Sequence, residues 1–202
     1  MCIRDSLKAD LPVPDSWVML TFDDGYSDHF RYVLPTLHEQ KLSALFFPPV
    51  SVVTERTLLD VNKIHFILAS SPSADLIYQR LVTLLGDYGF GACGIEELKN
   101  KYFHANRFDS PEVIFIKRVL QKGLPLITRG DLTSRLFSEF VSVDEKAFAE
   151  ELYLSLDECK TMARLGMHFG SHGGSHFWMG EMDLLSQEIE ITRSMAFLHN
   201  IY

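Results

Sequence analysis

The sequence predicts an α/β fold that forms part of a (β/α) barrel. Short apolar runs, long enough for strands, lie at 17–21, 43–47 and 167–170, and segments with helical periodicity separate them. Two of these runs lead directly into polar motifs, at 23–25 and 171–176. Polar residues that follow parallel strands meet at the carboxyl edge of the sheet, where barrels of this kind carry their functional sites. The pattern therefore predicts one site built from both motifs.

The first motif follows Trp17 to Thr21, a run that indicates a short buried strand. Adjacent side chains on an extended backbone point to opposite sides, so Asp23 and Asp24 can do different jobs, one binding a metal and the other acting as a base. The alternative is a strand-ending Asp-Asp-Gly turn, because aspartate and glycine are common turn residues. This stretch alone leaves both interpretations open.

The second motif places His172 and His176 four positions apart. In a turn of helix, residues at this spacing share one face, so both imidazoles can reach one ion. Gly173 and Gly174 allow the backbone to fold tightly around it. A pair of histidines with one carboxylate and open positions is the usual form of a hydrolytic metal site.

Helical periodicity dominates the rest of the chain. The apolar positions between Asp28 and Gln40 predict a helix that Asp28 caps and that Pro35 kinks. Residues 51–154 change character and predict a helical insertion into an α/β domain formed by 17–50 and 155–202, with 1–16 as an extended lead-in. The helices expected after position 50 are 63–70, 74–85, 111–121, 132–141, 145–154, 157–165 and 183–198.

Composition excludes several classes of protein. The net charge is −8 and the basic residues form no stripe, so nucleic acid is not an expected partner. Three cysteines without ligand spacing predict neither a disulfide framework nor a cysteine metal site. No run reaches the roughly 18 apolar residues of a membrane span, and no signal peptide precedes Trp17. The visible sequence predicts a cytoplasmic protein; residues 1–6 resemble a translated adapter, and a missing true N-terminus would leave a secreted form open.

The motifs resemble those of one known family. Thr21-Phe22-Asp23-Asp24-Gly25 resembles the first motif of the polysaccharide deacetylases, the NodB-homology domain of carbohydrate esterase family 4. Ser171-His172-Gly173-Gly174-Ser175-His176 is similar to their second motif, His-Ser/Thr-x-x-His. The run 43–47 resembles the family's second strand, and 165–172 resembles the approach to the second motif.

The resemblance implies a partial NodB-type barrel and a metal-dependent hydrolase that removes N-acetyl groups from amino sugars of a polysaccharide or its precursor. It implies that Asp24, His172 and His176 bind a divalent metal, with zinc expected, and that Asp23 is the general base. The expected partner is an N-acetylated carbohydrate substrate. Two alternatives stay open: a hydrolase of other non-peptide C–N bonds, and an inactive carbohydrate-binding fragment.

The sequence also departs from the family pattern. Gly173 stands where the family has serine or threonine, and Ser175 is the candidate to replace that hydroxyl. The family's later motifs, which supply an arginine, an aromatic groove and a general-acid histidine, are absent, so we expect a truncated member. Phe177 and Trp178 follow the second motif; packing is the default expectation for them, and a sugar-stacking wall is the alternative.

Overall fold

The computed structural model describes residues 18–202, so the lead-in at 1–16 and Trp17 lie outside the described residues. The described chain forms two compact units. We call residues 18–57 and 146–202 the strand unit, and residues 58–145 the helical unit. The helical unit falls inside the segment predicted as an insertion, and that domain assignment stays a prediction.

The described part of the strand unit contains three parallel strands. They are β1 (Thr21–Asp23), β2 (Leu45–Phe47) and β3 (His168–Phe169), with β2 in the centre of the sheet. Phe22 pairs with Phe46, which pairs in turn with Phe169. The α/β class and the parallel arrangement predicted from the sequence are confirmed. Because the strands run in one direction, both polar motifs leave the sheet at its carboxyl edge.

The first strand lies later in the sequence than predicted. The prediction of a buried strand ending at Thr21 is wrong, because β1 begins there, and Val18 and Met19 before it are 81% and 47% exposed. In the described sheet β1 is an edge strand with β2 as its one neighbour. The apolar residues 18–20 that lead into β1 therefore have a neighbouring strand on one side only. Leu20 still accepts a hydrogen bond from the Leu45 N–H at 3.0 Å.

The segment after β1 is helical but changes type near Pro35. A π-helical turn, His29–Val33, leads directly into α1 (Leu34–Glu39). Pro35 lies in the first turn of α1, within a helical run that continues from His29, so it cannot donate a hydrogen bond to the preceding turn at the junction of the two helix types. The predicted Asp28 cap is wrong. Its backbone is already helical (φ −62°, ψ −24°) and its side chain makes no capping hydrogen bond, whereas a capping residue needs an extended backbone.

A short helix that the sequence did not predict follows β2. Pro48 and Pro49 end the strand as expected, and α2 (Val50–Thr54) begins immediately after them, with Pro49 extended at its N-cap position. A proline pair ends a ladder because it cannot donate hydrogen bonds, but an extended Pro49 also leaves the next residue free to start a helix. The position of α2 matters for the site described below.

The helical unit is built from five α-helices and a π-helical turn among the described residues. They are α3 (Asp60–Ser70), α4 (Ala74–Asp87), α5 (Ala92–Tyr102), α6 (Pro111–Arg118), the π-helical turn Val119–Gly123 and α7 (Leu126–Phe140). Ile77, Leu81, Leu84 and Leu85 of α4 are fully buried, as their helical spacing predicts. The sequence analysis missed α5, because the glycine-containing stretch 86–94, which includes its first residues, resembles a connection.

Three α-helices and a short 3-10 helix (Met179–Glu181) complete the helical segments of the described residues. Helix α8 (Glu145–Leu152) ends in the strand unit, and α9 (Leu156–Arg164) begins with a capping box formed by Ser155 and Glu158. Gly166 ends that segment with φ +87°, in agreement with its predicted capping role. No helix within residues 18–202 combines the length and apolar character needed to cross a bilayer.

The last helix, α10 (Leu184–Ile201), buries a different face from the one that its apolar pattern predicted. Asp183 caps it by accepting a hydrogen bond from the Ser186 N–H at 2.7 Å. The apolar positions on which its helical pattern rested, Leu184, Leu185, Ile189 and Met195, are exposed. The buried positions recur every three or four residues and are Glu190, Ser194, Phe197 and Ile201. The buried face of α10 therefore begins with a carboxylate.

Candidate metal centre

Asp24 lies in a tight left-handed turn directly after β1. Its φ is +65°, and the Gly25 N–H donates to the Asp23 carbonyl at 2.9 Å. Aspartate adopts this backbone region more readily than most residues. Gly25 also has a positive φ, and a Cβ on it would lie 2.6 Å from Cβ of Pro48. The turn, rather than the alternation of an extended strand, therefore sets the direction of Asp24, and the strand-based argument for separating the aspartates does not apply.

His172 and His176 lie in a loop, so the prediction that a turn of helix brings them together is wrong. Gly173 has φ +81° and His176 has φ +61°, both in the left-handed region. Two left-handed residues fold the loop back on itself, and the imidazole centroids lie 4.9 Å apart. The glycine that the sequence analysis assigned to tight folding is one of these two residues.

Helix α2 holds the loop from one side. The Val50 N–H donates to the Gly173 carbonyl at 3.2 Å, and the Ser51 N–H donates to the Gly174 carbonyl at 2.8 Å. The first N–H groups of a helix have no partner within the helix, so they are free to bind such acceptors. The unpredicted helix after β2 thus positions the predicted histidine motif.

The three predicted ligands converge. Nε2 of His172 and Nε2 of His176 each lie 3.4 Å from Oδ1 of Asp24, and the three donor atoms all lie within 4.8 Å of one another. Charge-assisted N–H···O bonds are shorter, about 2.7–2.9 Å. Donor atoms held about 2.0–2.2 Å from a tetrahedral ion lie roughly 3.3–3.5 Å apart. Two imidazole nitrogens and a carboxylate oxygen at this spacing fit a zinc-type ion.

The charges of the cluster are mutually stabilising. Hydrogen bonding to His172 and His176 holds the pKa of the Asp24 carboxyl well below its usual range. The same interaction with Asp24 raises the pKa of His172, and the charge of Asp23 adds to this effect. The Tyr26 hydroxyl donates to the other Asp24 oxygen, Oδ2, at 3.3 Å. Oδ1 therefore faces the imidazoles while Oδ2 has a partner of its own.

Metal binding is expected to weaken as the pH falls. A metal ion needs a neutral imidazole, and the raised pKa of His172 means that a proton occupies this ring up to a higher pH than in an isolated histidine. Affinity should therefore rise with pH until the raised pKa of His172 is passed, and binding should release protons. Titration calorimetry in two buffers of different ionisation enthalpy measures both. Affinity that stays constant between about pH 5.5 and 8 would contradict this competition.

Asp23 occupies a different position from the three ligands. It is the last residue of β1, is exposed, and is outside the group of converging donor atoms. Its charge nevertheless acts on both His172 and His29, so its carboxylate lies within electrostatic range of the site. His29 is buried, and burial lowers its pKa. The histidines outside the second motif are not part of the described donor cluster.

Sequence reasoning missed Glu190, a buried acid that contacts the histidine loop. Glu190 is buried on α10 and accepts hydrogen bonds from the N–H and the hydroxyl of Ser175, at 2.7 and 2.9 Å. Ser175 does supply a loop hydroxyl, as suggested for a motif with glycine at 173. The hydrophobic pattern of the helix gave no sign of Glu190. It predicts that the apolar neighbours Ile189 and Ile191 are buried, but both are exposed.

Two aromatic residues, Phe177 and Trp178, follow the histidine loop. Phe177 and Trp178 are 38% and 51% exposed. They follow His176 directly in the sequence, so exposed aromatic surface adjoins the histidine motif. Both side chains are partly buried and partly exposed, so the packing interpretation and the sugar-stacking one both stay predictions.

A carboxylate and two imidazoles at the carboxyl edge of a parallel sheet are typical of metal-dependent hydrolases. The family model described as polysaccharide deacetylase matches residues 10–64, just over a quarter of the chain. The match includes Asp23, Asp24 and β2, and confirms the family resemblance over that range; His172 and His176 lie outside it. Comparisons with curated proteins and with solved structures gave no match.

Proposed function

We propose that this chain is a metal-dependent hydrolase that removes N-acetyl groups from amino sugars of a polysaccharide or of its precursor. The family match supports a deacetylase-type hydrolase acting on carbohydrate. The observation that carries the metal dependence is the 3.4 Å spacing between Oδ1 of Asp24 and each imidazole Nε2. We further propose that the three parallel strands are part of a (β/α) barrel of the NodB type, with 51–154 as its helical insertion.

In this proposal Asp24, His172 and His176 bind one divalent ion, with zinc the best fit to the donor set. A bound divalent ion polarises a carbonyl oxygen and lowers the pKa of water. Asp24 supplies the negative oxygen of this donor set. The hydrogen bond from Tyr26 restrains the Asp24 carboxylate, so that Oδ1 continues to face both rings.

Asp23 acts as the general base. It lies next to Asp24 in the sequence, but its carboxylate is not among the converging donor atoms, so it is free to accept a proton. Its position on the exposed end of β1 gives it access to water and substrate. It takes a proton from the water that attacks the acetamide carbonyl, and the products are a free amine and acetate.

The test is acetate release from N-acetylated amino-sugar oligomers. The protein is stripped with a chelator, dialysed, and assayed before and after addition of one equivalent of zinc. Acetate formed only after zinc addition supports the proposal. Asp28→Asn, a change at an exposed acid outside the cluster, is the control and should release acetate with the same zinc dependence as wild type. Zinc-dependent cleavage of other amides without acetate release would point to the second hydrolase class. Glycan binding without turnover would point to a binding protein.

Replacing Trp178 by alanine is expected to raise KM about threefold to tenfold with little change in kcat. The exposed indole next to the histidine motif offers a flat apolar face to a sugar ring, and aromatic contacts of this kind contribute roughly 0.5–1.5 kcal/mol. Steady-state kinetics with the acetylated oligomer measures the split. Tyr32→Ala removes an exposed aromatic residue of the same unit and should leave KM unchanged. Equal KM values for wild type and Trp178→Ala would remove the indole from the binding surface.

A further inference from the structure

Glu190 is an acid on the buried face of α10. Its side chain is 8% exposed, and a buried carboxylate is unfavourable unless hydrogen bonds and an opposite charge compensate it. Glu190 has both. Each of its oxygens accepts one hydrogen bond from Ser175, from the N–H at 2.7 Å and from the hydroxyl at 2.9 Å. Ser175 is the residue immediately before His176, so the buried acid binds the loop next to a proposed ligand.

The loop backbone lies directly against this carboxylate. A Cβ added to Gly174 would lie 2.8 Å from Oε1 of Glu190, closer than real Cβ contacts come, and 3.1 Å from Oε2, which is also tight. Gly173 lies slightly farther away, with its Cβ position 3.5 Å from Oε2. Gly174 therefore lets the loop backbone approach Glu190, whereas a Cβ at Gly173 would make only an ordinary contact with it.

Arg193, one turn along α10, completes the arrangement. Its Nη1 donates to the Ser175 hydroxyl oxygen at 3.0 Å and lies 3.7 Å from Oε1 of Glu190. Its Nη2 donates to Glu55, the C-cap residue of α2. One guanidinium thus supplies positive charge to two carboxylates and links α10 to α2, the helix whose first N–H groups bind the loop carbonyls.

The loop needs such restraint, because its backbone is not regular. His176 has φ +61°, a region in which a residue with a side chain is strained, and Gly173 has φ +81°. Residues 171–178 form neither a helix nor a strand in the described structure, so the loop has no regular hydrogen bonds of its own. The hydrogen bonds from α2 fix its first half at Gly173 and Gly174, and those to Glu190 fix its second half at Ser175.

We propose that Glu190 is a positioning residue that fixes the loop so that His172 and His176 point at a common ion, with Arg193 as its charge partner. This inference rests on the proposed metal-dependent function. Glu190 touches neither the ion nor the substrate in this scheme. It acts through Ser175, by fixing the peptide that leads into His176, and residues that orient metal ligands in this indirect way are commonly worth about 10–100-fold in metal affinity.

The test compares Glu190→Gln with Glu188→Gln, an exposed glutamate on the same helix. The glutamine keeps the shape of the side chain but turns one acceptor into a donor that faces a donor of Ser175. We expect zinc affinity, measured by competition with a chromophoric chelator, to fall about 10–100-fold for Glu190→Gln and to stay unchanged for Glu188→Gln. The visible absorption spectrum of the cobalt-loaded protein should also change for Glu190→Gln, because it reports ligand geometry.

Three further results separate the possible failures. If wild type binds no zinc, both the proposed function and this inference are overturned. If wild type binds zinc and Asp24→Ala does not, but Glu190→Gln matches Glu188→Gln in affinity and cobalt spectrum, only the positioning role is overturned. If Glu190→Gln does not fold, Glu190→Asp decides: it keeps the charge but is one methylene too short to accept from both the N–H and the hydroxyl of Ser175, and an unchanged zinc affinity would overturn the inference.

Discussion

Asp24→Ala is expected to lose metal binding and hydrolase activity together. Asp24 supplies the one anionic donor of the proposed centre, and its Oδ1 is the atom that lies 3.4 Å from both imidazoles. Supporting residues around metal sites are already worth about 10–100-fold in affinity, so removal of a ligand should cost more than about 100-fold. Plasma emission measures zinc content after dialysis against a weak chelator, and acetate release from the same sample measures activity.

Alanine at this position has a second effect, which Asp24→Asn separates from the first. The backbone of Asp24 has φ +65°, where asparagine is tolerated and alanine is strained. Asparagine also keeps an oxygen acceptor for the Tyr26 hydroxyl but removes the negative charge. If loss of metal is electrostatic and coordinative, both variants should lose zinc. If Asp24→Asn retains the zinc content of wild type while Asp24→Ala is unstable, Asp24 is needed for the turn and is not a metal ligand.

Asp23→Asn is expected to keep the metal and lose turnover. Asp23 is outside the converging donor atoms, so its replacement removes no proposed ligand. A lost general base typically lowers turnover by about 10²–10⁴-fold. Zinc content and kcat, measured on one preparation, test both halves of this expectation. The matched control is Asp28→Asn, an exposed acid five positions later in the same segment, for which zinc content and kcat should equal those of wild type.

The paired results also test the division of roles between the two aspartates. A zinc-free Asp23→Asn beside a zinc-loaded Asp24→Ala would show that the roles are reversed. Full zinc content and full activity in both variants would show that Asp-Asp-Gly is only a turn. The proposed distinction does not depend on strand alternation, since Asp24 has a left-handed backbone and Asp23 ends the strand.

Local patterns in the sequence were sufficient for much of the fold. The buried positions of α4 are set by side-chain spacing within one helix and were visible in the sequence. The capping box of α9 is equally local but was not predicted, because its Ser155 precedes the predicted helix 157–165. The parallel pairing of β1 with β2 also agreed with the predicted α/β class. These features depend on neighbours within a few residues or on a general rule of topology.

Features that depend on distant contacts were not predictable in this way. Helix α10 buries Glu190 and exposes Ile189, because a histidine loop rather than an apolar core covers that part of the helix. A hydrophobic pattern cannot anticipate a buried acid whose partners lie 15 residues earlier in the chain. The same limit applies to α2, whose first N–H groups are satisfied by carbonyls of residues more than a hundred positions away.

The candidate site shows both situations. The residue types Asp24, His172 and His176 and their order were readable from the motifs, and the structure brings their donor atoms together. The geometric reason offered for the histidines, a shared helical face, was wrong. A loop with two left-handed residues brings the two imidazoles together instead. Spacing in sequence identified the chemistry of the donors, whereas the backbone path depended on Glu190 and α2.

The central claim is that Asp24, His172 and His176 bind one divalent ion. The most direct test is anomalous diffraction from crystals of the zinc-loaded protein, measured on both sides of the zinc absorption edge. We predict a single strong anomalous peak about 2.0–2.2 Å from Oδ1 of Asp24 and from Nε2 of both histidines. A zinc-loaded crystal in which these three atoms surround no anomalous peak, while zinc binds elsewhere, would contradict the account.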